Sequence, residues 1–261
     1  KQLGRVLDAS LLYEPRPSTP RKINHCSPTA NVLLVAHCIQ DGDEHKVTVS
    51  SGFALKAASQ LQEESLVVTC AHTFEEIRRS PLMLAAHGQS RRVSSGSFVI
   101  CSEGIFPVTD IISSLPRSDL MIMSCKNPQL TTLPVSPYPA HPGTRVLGHL
   151  VSHEHLEEPG WSPWIRSSWS KWAGGTVLGY RDFAGRETMP GTYDALSHLL
   201  FSPLPTAGSS GGPIVDEETG AVIGVMLGTR MDNRVEGTRG WGVPSETIFE
   251  MFSLPGLEGK K

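Results

Sequence analysis

Apolar and polar positions along this chain fall into short runs, most of them closed by a turn residue. In the first half the runs are Asn31–Cys38, Lys46–Leu55, Leu66–Ala71, Arg92–Cys101 and Leu120–Cys125. In the second half they are Thr144–Val151, Gly175–Tyr180, Ala195–Phe201, Pro213–Val215, Ala221–Leu227 and Gly240–Val243. Short runs bounded by Gly, Pro, Asp and Ser predict the strands of a sandwich or barrel. Val108–Ile112 is a further strand-like run. Only Ser245–Phe252 reads as a helix, with Ser245 placed to cap it, while Glu75–Arg79 reads as one short helical turn with a solvated face.

Proline divides these runs into two sets. Residues 1–29 hold four of the twenty prolines and little periodicity, as expected of an arm laid over a surface. Five more crowd residues 127–143, a linker pattern. The expected organisation is an arm (1–29), a first β-lobe (30–126), a linker (127–143) and a second β-lobe (144–261) that ends in the helix. A start at Lys1 points to a processed product or an excised fragment.

Composition narrows the function classes. The 261 residues are 39% hydrophobic and 19% charged with net charge −3, the balance of an ordinary globular chain. No apolar run approaches the ~18–20 residues of a membrane-spanning helix. No block of Lys or Arg supplies the field that nucleic-acid binding needs. The five cysteines (Cys26, Cys38, Cys70, Cys101 and Cys125) are scattered and never form C-x-x-C, which disfavours both a zinc site and a disulfide framework. Cys70, Cys101 and Cys125 each close an apolar run, the setting of a buried thiol. None of Asn24, Asn31, Asn127 and Asn233 lies in an N-x-S/T sequon. Both signs point to a reducing, intracellular compartment. Trp161-Ser162-Pro163-Trp164 and Trp169-Ser170-Lys171-Trp172 both read W-x-x-W, a pattern of secreted proteins; they are read here as a loop packed by its own indoles, with a partner-binding patch as the alternative. His153-Glu154-His155 invites a metal, but the turn that follows makes it a solvated loop.

Three local signals carry chemistry, in the order His, Asp, Ser. Leu66-Val67-Val68-Thr69-Cys70-Ala71-His72 runs an apolar strand into a histidine. Ser118-Asp119-Leu120-Met121-Ile122-Met123 sets an acid at the mouth of another. Ala207-Gly208-Ser209-Ser210-Gly211-Gly212-Pro213 places a serine in a glycine-rich turn. A serine hydroxyl is a poor nucleophile until a base takes its proton, and neutral histidine has the pKa for that task. A carboxylate behind the ring holds the tautomer and stabilises the cation. Backbone amides, here those of Gly208 and Ser210, meet the oxyanion without reorganising. Asp110, also in a strand-like run, is the competing acid, and the D-L-M-I-M pattern favours Asp119.

At these residues the chain resembles the trypsin-like serine proteases of the chymotrypsin fold. It has the G-x-S-G-G-P string, the A-H after an apolar strand and the D-L before one. The gaps of 47 residues (72 to 119) and 91 residues (119 to 210) are of that family's size. Ser51-Gly52-Phe53, Ala221-Val222-Ile223-Gly224-Val225 and Gly240-Trp241-Gly242-Val243-Pro244-Ser245 are similar to strands of its HtrA branch. The resemblance covers roughly residues 45–253, with no recognisable signature in 74–115 and 152–200.

It implies two six-stranded antiparallel β-barrels with a short C-terminal helix. It implies a serine endopeptidase acting on protein or peptide substrates, with Ser210 as nucleophile, His72 as general base and acid, and Asp119 orienting the ring. That chemistry calls for no cofactor or metal. The resemblance also places Leu204, six residues before the serine, at the base of the pocket for the residue before the cut. With no carboxylate there, an apolar or small residue is preferred. Met226, Leu227 and Gly228 would form the edge on which substrate adds as a strand.

Two departures matter. Thr73 stands where secreted trypsins carry a bridged cysteine. Ser209 stands where they carry the aspartate that a new N-terminus pairs with on activation. Control would then fall to loop order, through self-assembly or a partner domain. A PDZ domain, usual in the HtrA branch, does not fit after Ser253 and would lie outside this segment. The rival reading is a latent or inactive barrel that binds peptides or partner proteins.

Overall fold

The computed structural model describes residues 4–7, 9–11, 32–58, 64–86, 93–126 and 130–253. Most of the expected arm, Cys26, and the start of the expected linker lie outside the described residues.

Twelve strands form the body. In the first half these are β1 (Leu33–Asp41), β2 (Glu44–Leu55), β3 (Ser65–Cys70), β4 (Val93–Cys101), β5 (Gly104–Leu115) and β6 (Leu120–Cys125). In the second they are β7 (Arg145–Ser152), β8 (Trp169–Arg181), β9 (His198–Phe201), β10 (Pro213–Asp216), β11 (Val222–Asn233) and β12 (Gly237–Pro244). Each set closes on itself with antiparallel pairing. The first runs β1-β4-β5-β6-β3-β2 and returns to β1; the second runs β7-β10-β11-β12-β9-β8 and returns to β7. Closure leaves neither six-stranded ring a free edge. This is the two-barrel chymotrypsin-like architecture that the resemblance implied.

The apolar runs account for the strands. β3 (SLVVTC) and β6 (LMIMSC) are buried at every position, so both faces lie in apolar surroundings and the run is continuous rather than alternating. β5 is half exposed and alternates around two bulges, so its signal was compressed to Val108–Ile112. β8 begins before the predicted Gly175–Tyr180, in the Trp-bearing stretch from Trp169, and β11 runs past Ala221–Leu227 into a polar hairpin end.

Helices are few and short. α1 (His72–Arg78) begins at the histidine itself, and α2 (Pro81–Ala86), which the pattern did not predict, follows it. α3 (Glu246–Phe249) is half the expected length, and Ser245 precedes it without a side-chain cap: its hydroxyl is buried with no partner among the described residues.

The two barrels share one core. Phe53, Leu55, Val68, Leu120 and Ile122 of the first pack in the same cluster as Val215, Val222, Val225 and Val243 of the second and Ile248 of α3. Leu7, Ala9 and Leu11 join that cluster, so the described part of the arm is packed into it. Leu7 and Ala9 are hydrogen-bonded to the chain after α3.

Candidate active site

β3 delivers His72 and β6 delivers Asp119, because the two strands pair in register with Cys70 opposite Leu120. The acid and the histidine therefore emerge side by side at one barrel end. Asp119 adopts φ +56°, a left-handed conformation that is costly for a non-glycine residue. It is held there by what the carboxylate does. Oδ1 accepts the backbone N–H of Ala71 (3.0 Å) and of His72 (2.7 Å), and Oδ2 bonds His72 Nδ1 at 2.6 Å. Asp110, the competing acid, is exposed on β5, where it pairs with Ser124.

Electrostatics follow from this contact. The Asp119 hydrogen bond, then the nearby Cys70 thiol, push the His72 imidazole up to about 10 against the opposing effect of burial. His72 Nε2 faces Cys70 Sγ at 3.8 Å. The ring is 44% exposed, and a cleft of about 990 Å3 opens on His72 and Asp119 from the side of α1, walled by Lys46, Glu75, Arg78 and Arg79.

The serine loop of the second barrel is pinned onto the first. Ser51 N–H donates to Ser210 O (2.8 Å), and Ser51 Oγ donates to Gly208 O (2.8 Å). Gly211, at φ +83°, lies so close to the first barrel that a Cβ would stand 2.3 Å from Ser51 O, 2.5 Å from Thr69 Oγ1 and 2.8 Å from Cys70 N. The serine loop thus abuts the residue two before His72. Ser210 Oγ itself donates to Leu227 O at 2.9 Å rather than to the imidazole. Among the described residues the amides of Gly208 and Ser210 donate to no protein acceptor, which leaves both for a ligand oxygen. Gly208 has φ +89°, and the place of its absent Cβ is 3.1 Å from His153 Nε2.

Ser209, in the position of the missing aspartate, is fully buried and neutral. Its hydroxyl accepts the Val151 N–H (2.9 Å) and bonds Thr206 Oγ1 (2.8 Å), which in turn donates to Val151 O (2.6 Å). A hydroxyl pair thus ties the loop to the end of β7 with no buried charge.

The proposed substrate residues separate. Leu204 is 49% exposed and lines a cavity of about 570 Å3 with apolar Leu150, Trp161 and Pro203 and with charged Glu157, Glu158 and Lys171. Met226 faces the barrel interior, its N–H donating to Gly212 O and its carbonyl accepting from Gly211 N. Leu227 sits in a bulge between the Met226–Gly242 and Gly228–Trp241 pairs, which turns its carbonyl to Ser210. Ser51, Thr69 and Thr206 were not singled out as site residues. No local signal marks them, since their partners lie far away in sequence.

The other motifs have structural places. Trp164 and Trp172 flank the buried His149 ring at 4.8 and 5.0 Å, and Trp169 meets His155 at 4.3 Å, so the indoles pack around β7 and β8. Cys38, Cys70, Cys101 and Cys125 form no disulfide among the described residues. Among the described residues no His, Cys, Asp or Glu cluster could hold a metal, and no helix is long and apolar enough to cross a membrane.

Residues 50–225 match the family described as "Trypsin-like peptidase domain". The solved Rv3671c protease from M. tuberculosis, in its active form, is 17% identical with a TM-score of 0.54, covering 95% of this chain and 98% of that one. An inactive form of the Rv3671c protease is also 17% identical, over 82% of this chain and 86% of that one, with a TM-score of 0.48. No curated protein sequence matches the chain. At 17% identity the likeness to the active form speaks for the fold alone.

Proposed function

Because the chain belongs to the trypsin-like peptidase family, we propose that it is a serine endopeptidase working through His72, Asp119 and Ser210. The observation that carries this reading is the Asp119 carboxylate on His72 Nδ1 at 2.6 Å, beside a serine loop held by Ser51. For the reaction the Ser210 hydroxyl has to leave Leu227 O and pair with Nε2. His72 takes the hydroxyl proton as Oγ bonds the scissile carbonyl carbon, whose oxygen becomes the oxyanion met by the Gly208 and Ser210 amides. Collapse breaks the C–N bond, and the imidazolium gives its proton to the leaving amine. Water then attacks the acyl-enzyme, His72 takes a proton from it, and the proton returns to Ser210 as the acid leaves.

An apolar or small residue before the cut, kinship with the HtrA branch and a reducing compartment are parts of the same proposal. The Leu150, Trp161, Pro203 and Leu204 side chains of that cavity, the neutral Ser209 clamp and the absence of disulfides among the described residues support them in turn.

One observation favours the latent reading: the hydroxyl of Ser210 is spent on Leu227 O, and Nε2 faces Cys70. A fluorophosphonate probe separates the two. Covalent labelling that disappears in Ser210→Ala is expected of the enzyme. A folded protein that stays unlabelled, and cleaves no peptide of a mixed library, would be a binding module.

A further inference from the structure

A row of rings and guanidinium groups crosses the second barrel on consecutive neighbours of its ring, β8, β9, β12 and β11. Phe183, just after β8, meets His198 of β9 edge-on at 5.6 Å. His198 lies on Trp241 of β12 at 4.3 Å, and the Arg230 guanidinium of β11 covers Trp241 at 4.2 Å. At the other end, Arg117 comes over from the first barrel and covers Phe183 at 3.8 Å. Burial holds His198 well below its ordinary value, at about 4, so it stacks as a neutral ring.

The ends of this row are tied to the site. Arg117 is two residues before Asp119, in the same turn. Arg230 is three residues past Leu227 on β11, roughly 10 Å at the ~3.3 Å rise of a strand. A peptide laid along β11, with its reacting carbonyl at Ser210, runs its upstream residues past Arg230.

The charge is unbalanced there. Asp232 is engaged by Arg181 (3.0 Å) and Arg239 (3.6 Å), and Asp182 by Arg186 (2.7 Å). Among the described residues neither Arg117 nor Arg230 has a carboxylate partner. Each guanidinium sits over an aromatic face, which fixes its place, and both arginines are exposed, so their N–H groups can meet a carboxylate. The exposed site therefore offers two positioned cations, while Asp182 and Asp232 nearby are each engaged by other arginines.

Resting on the peptidase reading, we propose that this row selects substrates with an acidic segment, Asp or Glu within the second to fifth residues upstream of the cut. Attraction between exposed charges is modest singly and screened by salt, so the preference is graded.

The test uses matched peptides with one apolar residue before the cut and either Asp/Glu or Lys in the upstream positions. The wild-type protein is expected to favour the acidic peptide by about tenfold in kcat/KM at low salt, and the ratio should fall towards unity at 0.5 M NaCl. Charge reversal in Arg117→Glu/Arg230→Glu, with folding checked by its thermal melt, should invert the ratio. If that variant does not fold, the salt titration of the wild type decides. Equal rates, a Lys preference, or a ratio that high salt or a folded double variant leaves intact overturns the inference. Binding of the same peptides to Ser210→Ala reads the cleft without chemistry. Acidic peptides that bind selectively but are never cleaved would defeat the peptidase reading and leave this one standing; cleavage without acid preference would do the reverse.

Discussion

Three hydrogen bonds from His72 and Ala71 converge on the Asp119 carboxylate, and they offset the left-handed backbone on which it sits. The same contact sets the pH behaviour. With His72 held up to about 10, the ring is charged at neutral pH and must lose its proton before it can accept another. kcat/KM is expected to rise with pH from 7 towards 10. Asp119→Asn removes the first cause, so its rising limb should move to lower pH while kcat falls by about 10^3–10^4. A pH–rate profile on one peptide checks both, and an unmoved limb would place the control elsewhere. At this scale much was legible, because each of the three motifs is a handful of adjacent residues. Ser51, Thr69 and Thr206 were not, because a hydroxyl announces its partner only once the chain has brought the partner to it.

Strand ends and one glycine turn set the fit between the barrels. Gly211→Ala would drive a methyl into Ser51 O and the Thr69 hydroxyl at a left-handed φ, and should cost about 3 kcal/mol or more together with the peptidase activity. Denaturant unfolding and fluorophosphonate labelling measure the two losses. β7 carries a second element-scale effect through His149, which is fully buried between Trp164 and Trp172 and has no hydrogen-bond partner for either ring nitrogen among the described residues. Burial depresses it from 6.5 to about 3. The unfolded chain therefore binds a proton below pH 6.5 that the folded chain refuses. This contribution is intact above pH 6.5 and is lost as the pH falls towards 3, on the order of 2 kcal/mol by pH 5. His149→Phe should flatten the fall in Tm between pH 7 and 5, and an equally steep fall would assign it to other groups. The strands themselves were legible as apolar runs. The first half of β8, the polar end of β11 and the bulged β5 were not, because hydrogen bonding to neighbours continues a strand where no regular apolar pattern runs.

Across the whole molecule, the shared cluster makes the two barrels one folding unit. Phe53 is fully buried among side chains of both. Phe53→Ala should cost about 3–5 kcal/mol and shift a single calorimetric transition. Two separated transitions, only one of them moved, would mean that the barrels unfold independently. This common core also keeps the serine loop against β2 and β3, so stability and activity are expected to be lost together in that variant.

The strand-forming runs and the three motifs that carry the candidate side chains were written into the chain itself. They depend on neighbouring residues, on a two-residue period and on local turn chemistry. Only closure of the barrels and their packing on a common core could set a carboxylate under an imidazole, turn Met226 inward while Leu227 bulges towards Ser210, and align Arg117 with Arg230 across four strands. Those arrangements join residues from distant parts of the chain, and no local pattern encodes them, because their energies exist only once the intervening loops are closed.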